Sequence, residues 1–563
     1  MAQRMDLRHI PVVSIDPPGC KDIDDALHCL RLPNGRLEAG VHIAGQIVCE
    51  LYSHTCRANY VSYFHTDVTY FVHPDSAIDK EAAHRSTSTY LVERRLDMLP
   101  GLLTTQLCSL RSKEDHLAFS VIWEMDDDAN IYDVRFCKSA IHSVASLTYD
   151  EAQVMLDSPS SSDKVNASVN LLNKLARILR QRRIDMGALT LASPEVRFKL
   201  DSETQNPTDV AMYALKESNA LVEEWMLLAN ITVSKQILKF YPTLGVLRRH
   251  QPPSREQFAP LVSAALAVGV DLDISSSKTL ADSLDRAVRS DDPYFNKLLR
   301  ILSTRCMMPA QYFCSGEIPK DQWHHYGLAA PVYTHFTSPI RRYADVLVHR
   351  LLAATIGVIA LPAANADRSK QQELCTHMNR RHRAAQYAQR GSVNLHTVTY
   401  FSQRPANQEA AYVLSVKEDS LTVLVPRFGI EGTLHWKDIM SALECDKMDF
   451  DAAAHMVELK RTVVAAPSKK QKQQQPQQFT ESAVVLQTRV FDRVTVSIKV
   501  DEGSGNGGDR KLVIGLVHQD RDLAEVIRSR PRKAAVAEES APPQKMPSND
   551  LGSGRVKKST PKK

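Results

Sequence analysis

The chain lacks paired cysteines. Its ten cysteines (20, 29, 49, 56, 108, 137, 306, 314, 375 and 445) contain no C-x-x-C pair, which argues against zinc and against a disulfide framework. Reduced thiols in a cytosolic or nuclear protein are expected. No apolar run reaches the roughly 18 residues of a membrane helix, and no signal-peptide pattern follows Met1. A soluble intracellular protein with no membrane partner is therefore expected. Internal repeats are absent, and no strong charge bias is present. Lys and Arg total 70 against 65 Asp and Glu, a net +5 that suits a polyanionic partner without demanding one. What remains is ample for burial: 563 residues, 43% of them hydrophobic, predict more than one domain with a sizeable core.

One short stretch is rich in a single charge. "SIDPPGCKDIDDALH" (14–28) carries Asp16, Asp22, Asp24 and Asp25. Pro17, Pro18 and Gly19 predict a turn that folds Asp16 back toward the later aspartates. In an extended D-I-D-D, Asp22 and Asp24 share one side and Asp25 faces the other, so a kink is needed to gather all four. Crowded carboxylates need compensation, and a divalent cation supplies it. All-oxygen ligation without nearby Cys or paired His selects Mg²⁺ or Mn²⁺. Two such ions roughly 3.5–4 Å apart can clamp a phosphodiester. A polar turn whose aspartates merely cap loops is the plainer reading of a lone D-x-D-D, and the longer string with its PPG is far more specific.

A second stretch, "YTHFTSPIRRYADVLVHR" (333–350), poses the opposite puzzle. Ser338 fits an N-cap and Pro339 a first helical position, which puts Arg341 and Arg342 in the first turn of a helix over 339–356. Cations there are disfavoured by roughly 0.3–1 kcal/mol each. An anion before the turn would reverse the sign and make a phosphate site. Pairing of both arginines with acidic side chains is the alternative, and Asp345 lies close enough for local compensation.

Elsewhere, "PNG" at 33–35 predicts a hairpin over 26–43. Helices are predicted over 166–187, ended by Gly187, and over 217–240. The first carries Lys174, Arg177, Arg180, Arg182 and Arg183 on one face; a solvated face is the plainer reading and an RNA-facing rim the sharper one. After about residue 405 the texture turns to short alternating strands, five or so, as in a small OB-type barrel. "PSKKQKQQQPQQ" predicts a disordered loop (466–479), and the basic tail (521–563) is predicted to be disordered, its end "RVKKSTPKK" suiting nuclear import, loose nucleic-acid contact or plain solubility.

Taken together, the two charged stretches resemble the RNase II/RNB exoribonuclease family, closest to its eukaryotic branch, the catalytic subunit of the RNA exosome. "STSTYLVERRLDMLP", "GALTLASPEVRF", "LVEEWMLLANI" and "HHYGLAAPVYTHFTSPIRRYADVLVHRLL" resemble that branch in order, over about residues 6–520. The resemblance implies an α+β RNB catalytic domain over 1–404, a mixed sheet with surrounding helices and an RNA channel, followed by an all-β OB barrel of the ribosomal-protein-S1 kind over 405–520. It implies Mg²⁺-dependent, processive 3′→5′ hydrolysis of single-stranded RNA to nucleoside 5′-monophosphates, in the nucleus, nucleolus or cytoplasm, with no action on DNA. It places the metal on Asp16, Asp22, Asp24 and Asp25, the residue essential for cleavage at Asp24, and the scissile-phosphate contact at Arg341. Tyr90 and Phe198 match the aromatic pair that stacks on RNA, and stacking suits sequence-independent binding. Tyr333, Thr337 and Ser338 are weaker RNA-contact candidates, as are Phe428, His435 and Trp436 in the barrel. A barrel capping a narrow channel would admit single strands only, and contacts to 2′-hydroxyls would separate RNA from DNA.

Two departures qualify the resemblance. Members read "HIADV" unbroken, whereas here residues 45–66 intervene between "HIA" and "DVTYFVHP". This insertion reads equally as a tolerated surface loop or a wrongly translated segment. The branch also carries cold-shock domains and a PIN-type endonuclease domain ahead of the catalytic region; their absence here is expected, with loss of the usual exosome-docking surface. A catalytically impaired RNA-binding relative is therefore the second reading.

Overall fold

The computed structural model describes residues 4–48, 64–67, 72–160, 162–192, 196–201, 207–212, 215–464, 480–502, 510–518 and 521–522. The described residues up to 148 hold nine strands: β1 (Met5–Asp6), β2 (Val12–Asp16), β3 (Asp25–Arg31), β4 (Leu37–Val48), β5 (Phe64–Asp67), β6 (Thr89–Tyr90), β7 (Arg95–Leu96), β8 (Asp115–Met125) and β9 (Ile131–Thr148). The β3–β4 hairpin follows the "PNG" signal, with Gly35 at φ +83°, a left-handed conformation that glycine adopts freely.

Pairing then runs β9–β2–β3–β4–β8 and returns to β9. The eighteen-residue β9 makes the closure possible. Its first part pairs antiparallel with β8, and its last part pairs parallel with β2, from Val12↔Ser143 to Asp16↔Thr148. A closed ring leaves no bare edge among these five strands. It also fixes the register of β2 from both sides, and β2 ends on Asp16.

Helices cover the ring's outside. Helix Lys164–Asp185 lies against β3, where Ser168 Oγ accepts from the Cys29 amide at 2.9 Å. Helix Glu217–Phe240 inserts Trp225 beside Trp123 of β8, ring centres 5.8 Å apart, and its indole donates to the Leu172 carbonyl at 3.1 Å. Both tryptophans are fully buried. Burial of that much aromatic surface is worth roughly 4–6 kcal/mol each by area. The expected basic face of the first helix is spent on ion pairs: Lys174 with Asp127, Arg177 with Glu217 and Arg183 with Glu224. Lys174, Arg177, Arg180 and Arg182 remain exposed, as the solvated-face reading expects, and the ion pairs leave little of the RNA-facing alternative.

Among the described residues, the chain beyond the 36-residue helix Arg368–Gln403 is β apart from one short helix. It forms a six-stranded sheet (strands within Ala406–His435 and Arg493–Asp522) and a three-stranded one (Lys447–Asp451, Met456–Val464, Thr480–Arg489). This exceeds the expected five strands, because Lys447–Arg489 builds its own sheet. Their shared core includes Trp436, 1% exposed, whose indole donates to the Lys417 carbonyl at 2.8 Å, and Phe428, which meets Phe401 edge-on at 5.0 Å. Both were expected as RNA-stacking candidates; both instead fill the barrel. His435 is exposed, at the start of helix Trp436–Leu443.

Strand β4 continues into the unusual insertion and pairs with β5, Gly45↔Asp67 to Val48↔Phe64. Residues 49–63 lie outside the described residues, as do the expected loop at 466–479 and the tail from 523. Among the described residues every cysteine is a free thiol, and no helix is long and apolar enough to cross a membrane.

Candidate active site

The acidic loop is held by backbone geometry before any side chain matters. Gly19 adopts φ +77° and the Cys20 amide bonds back to the Pro17 carbonyl at 3.1 Å, giving the expected turn. The returning leg is pinned from three sides. The Ile23 amide donates to Ser109 Oγ at 3.1 Å, the Leu110 amide to the Ile23 carbonyl at 3.1 Å, and the Ala44 amide to the Asp24 carbonyl at 2.7 Å. Asp16 closes β2 and Asp25 opens the neighbouring β3, so the turn brings the four aspartates to one end of the ring.

Arg341 reaches this point from far along the chain. Its Nε donates to Asp24 Oδ2 at 3.1 Å and its Nη2 to Ser338 Oγ at 3.0 Å. The Ile340 amide donates to Asp24 Oδ1 at 3.2 Å. Here the structure corrects the sequence reading: the helix begins at Tyr343, and Ser338–Arg341 is a turn preceding it. The Ser338 amide is taken by Asp345 at 2.7 Å, and Arg342 grips the same carboxylate with two bonds of 2.8 Å. The anion in front of the turn is thus Asp24 itself. The turn is clamped by Ser88, whose amide donates to the Arg341 carbonyl at 3.0 Å, and by a bridge between Thr87 and Arg342.

Asp22 forms an ion pair with Arg95 of β7. In the β6–β7 hairpin Tyr90 sits directly opposite Arg95, so this pair draws Tyr90 over the carboxylates. Tyr90 is 39% exposed, at the rim. The resulting cavity, about 430 Å³, is lined by all four aspartates together with Tyr90 and Arg341. Tyr333, Thr337 and Ser338 also line it but are buried in its wall; Asn230 donates to the Tyr333 hydroxyl at 3.1 Å. Phe198 is not among the lining residues. It lies on the strand Val196–Leu200, 6.0 Å from the His396 ring, and packs on the barrel core. The β6–β7 hairpin that carries Tyr90 and the Phe198 ring nonetheless meet neighbouring positions of the long helix, since the Val92 amide donates to Ser392 Oγ at 3.0 Å and Phe198 faces His396.

Burial raises the carboxyl pKa of Asp16, Asp24 and Asp25 to about 7. Neighbouring carboxylates add to the rise, while the Arg341 charge opposes it at Asp24 and Asp25. Asp16 Oδ2 is buried with no hydrogen-bond partner. An orphaned buried oxygen beside three more carboxylates is a donor set that fits a hard divalent cation. As the side chains stand, no three Asp, Glu, His or Cys groups among the described residues converge into a ready cage. Asp22 and Asp24 are turned instead to Arg95 and Arg341.

Sequence reasoning missed Asn230 and Arg95 as scaffolding of the site, whereas the local compensation by Asp345 that it allowed is made, with Arg342. Asn230 accepts from the Phe336 amide at 2.7 Å while donating to Tyr333, which fixes the segment carrying Thr337 and Ser338. A buried asparagine inside the apolar run Trp225–Ile231 was the available signal.

Comparison with known proteins identifies the family. A family model described as the RNB domain matches residues 4–46 and 58–357. The chain belongs to the RNB family. A second model, described as an S1 domain, matches residues 407–512. The RNB match omits residues 47–57, inside the unusual insertion. Exosome complex exonuclease RRP44 homolog A of Arabidopsis thaliana is 54% identical over 432 residues, covering 77% of this chain and 44% of that protein. This RNB chain thus spans less than half the length of that relative. Among solved structures, Mycoplasma genitalium RNase R in complex with ribose methylated single-stranded RNA matches with TM-score 0.70 and 21% identity, over 89% of this chain and 70% of that one. Yeast Ssd1, a pseudonuclease, matches with TM-score 0.69 and 19% identity over 91% and 68%. The RNB fold is therefore shared by nucleases and by at least one protein described as a pseudonuclease, so cleavage must be argued from the site.

Proposed function

We propose that this chain is a 3′→5′ exoribonuclease that hydrolyses single-stranded RNA processively to nucleoside 5′-monophosphates. The observation that carries the reading is the meeting of four aspartates with Arg341 around one cavity. Asp16, Asp22, Asp24 and Asp25 would hold the divalent cation, Mg²⁺ in preference and Mn²⁺ as a substitute. When bound, that cation activates water and stabilises the leaving oxygen. The chain's own residues do the rest. Asp24 orients the Arg341 guanidinium, whose side chain stays 42% exposed and able to meet a phosphate. Ser338 holds its other edge. Tyr90 offers a ring face at the rim for a base of any kind. The buried wall behind them excludes bulk water and strengthens each charge.

The second reading, an RNB protein that binds RNA without cutting it, is favoured by the likeness to Ssd1 and by the insertion beside β4. A 5′-labelled single-stranded RNA, incubated with the purified chain in Mg²⁺ or EDTA, separates the two. Collapse to a short end product only with Mg²⁺ supports the nuclease, and Asp24→Asn should abolish it while retaining RNA binding. Intact RNA that shifts on a gel sinks the nuclease reading. Single-stranded DNA of the same sequence should survive. Membership of an exosome, a role in RNA processing and decay, and nuclear or cytoplasmic residence are parts of the same proposal. Copurification with exosome core subunits from cells tests the first of these.

A further inference from the structure

Most cations around the cavity have a named carboxylate. Arg341 faces Asp24, Arg342 faces Asp345 and Arg95 faces Asp22 and Asp97. Arg248 does not. It lies on the strand Val246–Arg249, paired antiparallel with Gln311–Cys314, and its guanidinium sits 4.7 Å above the Tyr312 ring. No acidic side chain pairs with it among the described residues, and its Nη1 is buried without a hydrogen-bond partner. The side chain as a whole is only half-buried, so it remains reachable.

Its surroundings are deficient in negative charge. Tyr312 donates or accepts with His335 Nδ1 at 2.6 Å, and the Arg248 amide donates to the Tyr333 carbonyl at 2.8 Å. The charges of Arg248 and Arg342 act on the same four groups, Tyr312, Tyr333, His335 and His382. Burial, reinforced by these cations, holds His335 well below the usual histidine range and His382 down to about 4, so the histidines stay neutral and supply no further charge. Arg342 and Tyr333 are themselves in the wall of the aspartate cavity. Arg248 is therefore a surplus cation one layer behind that wall.

A half-buried guanidinium stacked on an aromatic ring, with no acidic partner among the described residues, is suited to a phosphate. We propose that Arg248 binds a phosphodiester of the RNA strand other than the one cleaved. This rests on the exoribonuclease reading, and it goes further in naming a phosphate contact outside the aspartate cavity. In a 3′→5′ reaction the terminal nucleotide carries only the scissile phosphate, so every other phosphodiester lies on the 5′ side. Arg248 thereby helps hold the strand that remains after each cut.

The test uses the full chain in EDTA, where binding is read without cleavage. Affinity for a single-stranded RNA is measured between about 50 and 300 mM KCl for the natural chain, Arg248→Met and Arg248→Lys. One lost phosphate contact should flatten the slope of log affinity against log salt by about 0.7. Arg248→Met should show that change with about tenfold weaker binding at low salt, and Arg248→Lys should restore the slope. An unchanged slope in Arg248→Met overturns the proposal, as does a loss confined to melting temperature, which marks Arg248 as a prop for Tyr312. Inhibition by adenosine 5′-monophosphate in Mg²⁺ provides the second arm. If Arg248→Met relieves that inhibition while leaving the RNA salt slope intact, the phosphate belongs to the released product and the substrate assignment is wrong. If the natural chain cleaves RNA but Arg248→Met keeps its slope, this inference alone fails. If the natural chain neither binds nor cleaves RNA, the exoribonuclease reading fails with it.

Discussion

Asp79 and Arg350 form an ion pair that is almost wholly out of water, with side chains 8% and 2% exposed. Arg350 Nη2 donates to Asp79 Oδ1 at 2.7 Å and to the Val72 carbonyl at 2.6 Å. Asp79 also accepts from the Tyr343 hydroxyl at 2.8 Å and from the Asp75 amide at 2.9 Å. The two partners are unequally supported, and this asymmetry sets the expected energetics. Asp79→Asn strands a buried guanidinium whose Nε already lacks a partner, which should cost about 3–5 kcal/mol. Arg350→Met leaves a carboxylate with two good donors and an apolar replacement of similar length, so a cost of about 2–3 kcal/mol is expected. The double variant should fall well short of the sum, with a coupling of at least about 1 kcal/mol. Urea unfolding followed by tryptophan fluorescence supplies the cycle, since Trp123 and Trp225 lie in the same core. Cleavage should fall in step, because Tyr343 opens the helix directly after Arg341 and Arg342. Strict additivity of the two single costs, or a negligible effect of Asp79→Asn, would refute the reasoning.

Gly40→Ala places a Cβ 2.3 Å from His28 Cε1 and 3.1 Å from His42 Nε2, so it should wedge apart their 2.7 Å hydrogen bond and cost about 1–3 kcal/mol in thermal or urea unfolding. Trp436→Ala should destabilise the barrel by about 3–5 kcal/mol, yet leave RNA affinity of the folded protein unchanged when measured in the cold, since the ring is core and not a stacking platform. The stabilisation by Mg²⁺ should be greater near pH 8 than near pH 6, because the cation must displace protons from Asp16, Asp24 and Asp25, which burial holds up to about 7. Their raised values mean that, without cation, the folded chain binds more protons than the unfolded one as pH falls through about 7, so these groups then favour folding by up to about 1.4 kcal/mol each per pH unit. Calorimetry at one fixed Mg²⁺ concentration checks the sign, and an equal shift at both pH values contradicts it.

Local signals in the chain were sound where structure is local. The Asn34–Gly35 turn, the Gly187 helix stop and the turn at Pro17–Gly19 all depend on a few neighbouring residues, and each is where the pattern puts it. The gathering of the four aspartates was legible because the turn that performs it sits among them. The helix start at Tyr343 was not, because its decisive partner for the Ile340 amide is Asp24, 316 residues away. Phe428 and Trp436 misled for a related reason. An aromatic residue in a barrel sequence has no local mark that separates a core face from a binding face; only the packing against Phe401 and Lys417 decides it. The cationic face of Lys164–Asp185 was likewise absorbed by carboxylates from other elements.

The distance in sequence between Asp24 and Arg341 has a consequence for synthesis. During translation the acidic loop leaves the ribosome hundreds of residues before the turn that will face it. Until that turn has been made and docked against Ser86–Ser88, Arg341 is missing from the carboxylates and Asp24 has no guanidinium opposite it. On the proposed exoribonuclease reading, a half-made molecule therefore lacks its phosphate-contacting arginine while it is still beside the messenger RNA it is being read from.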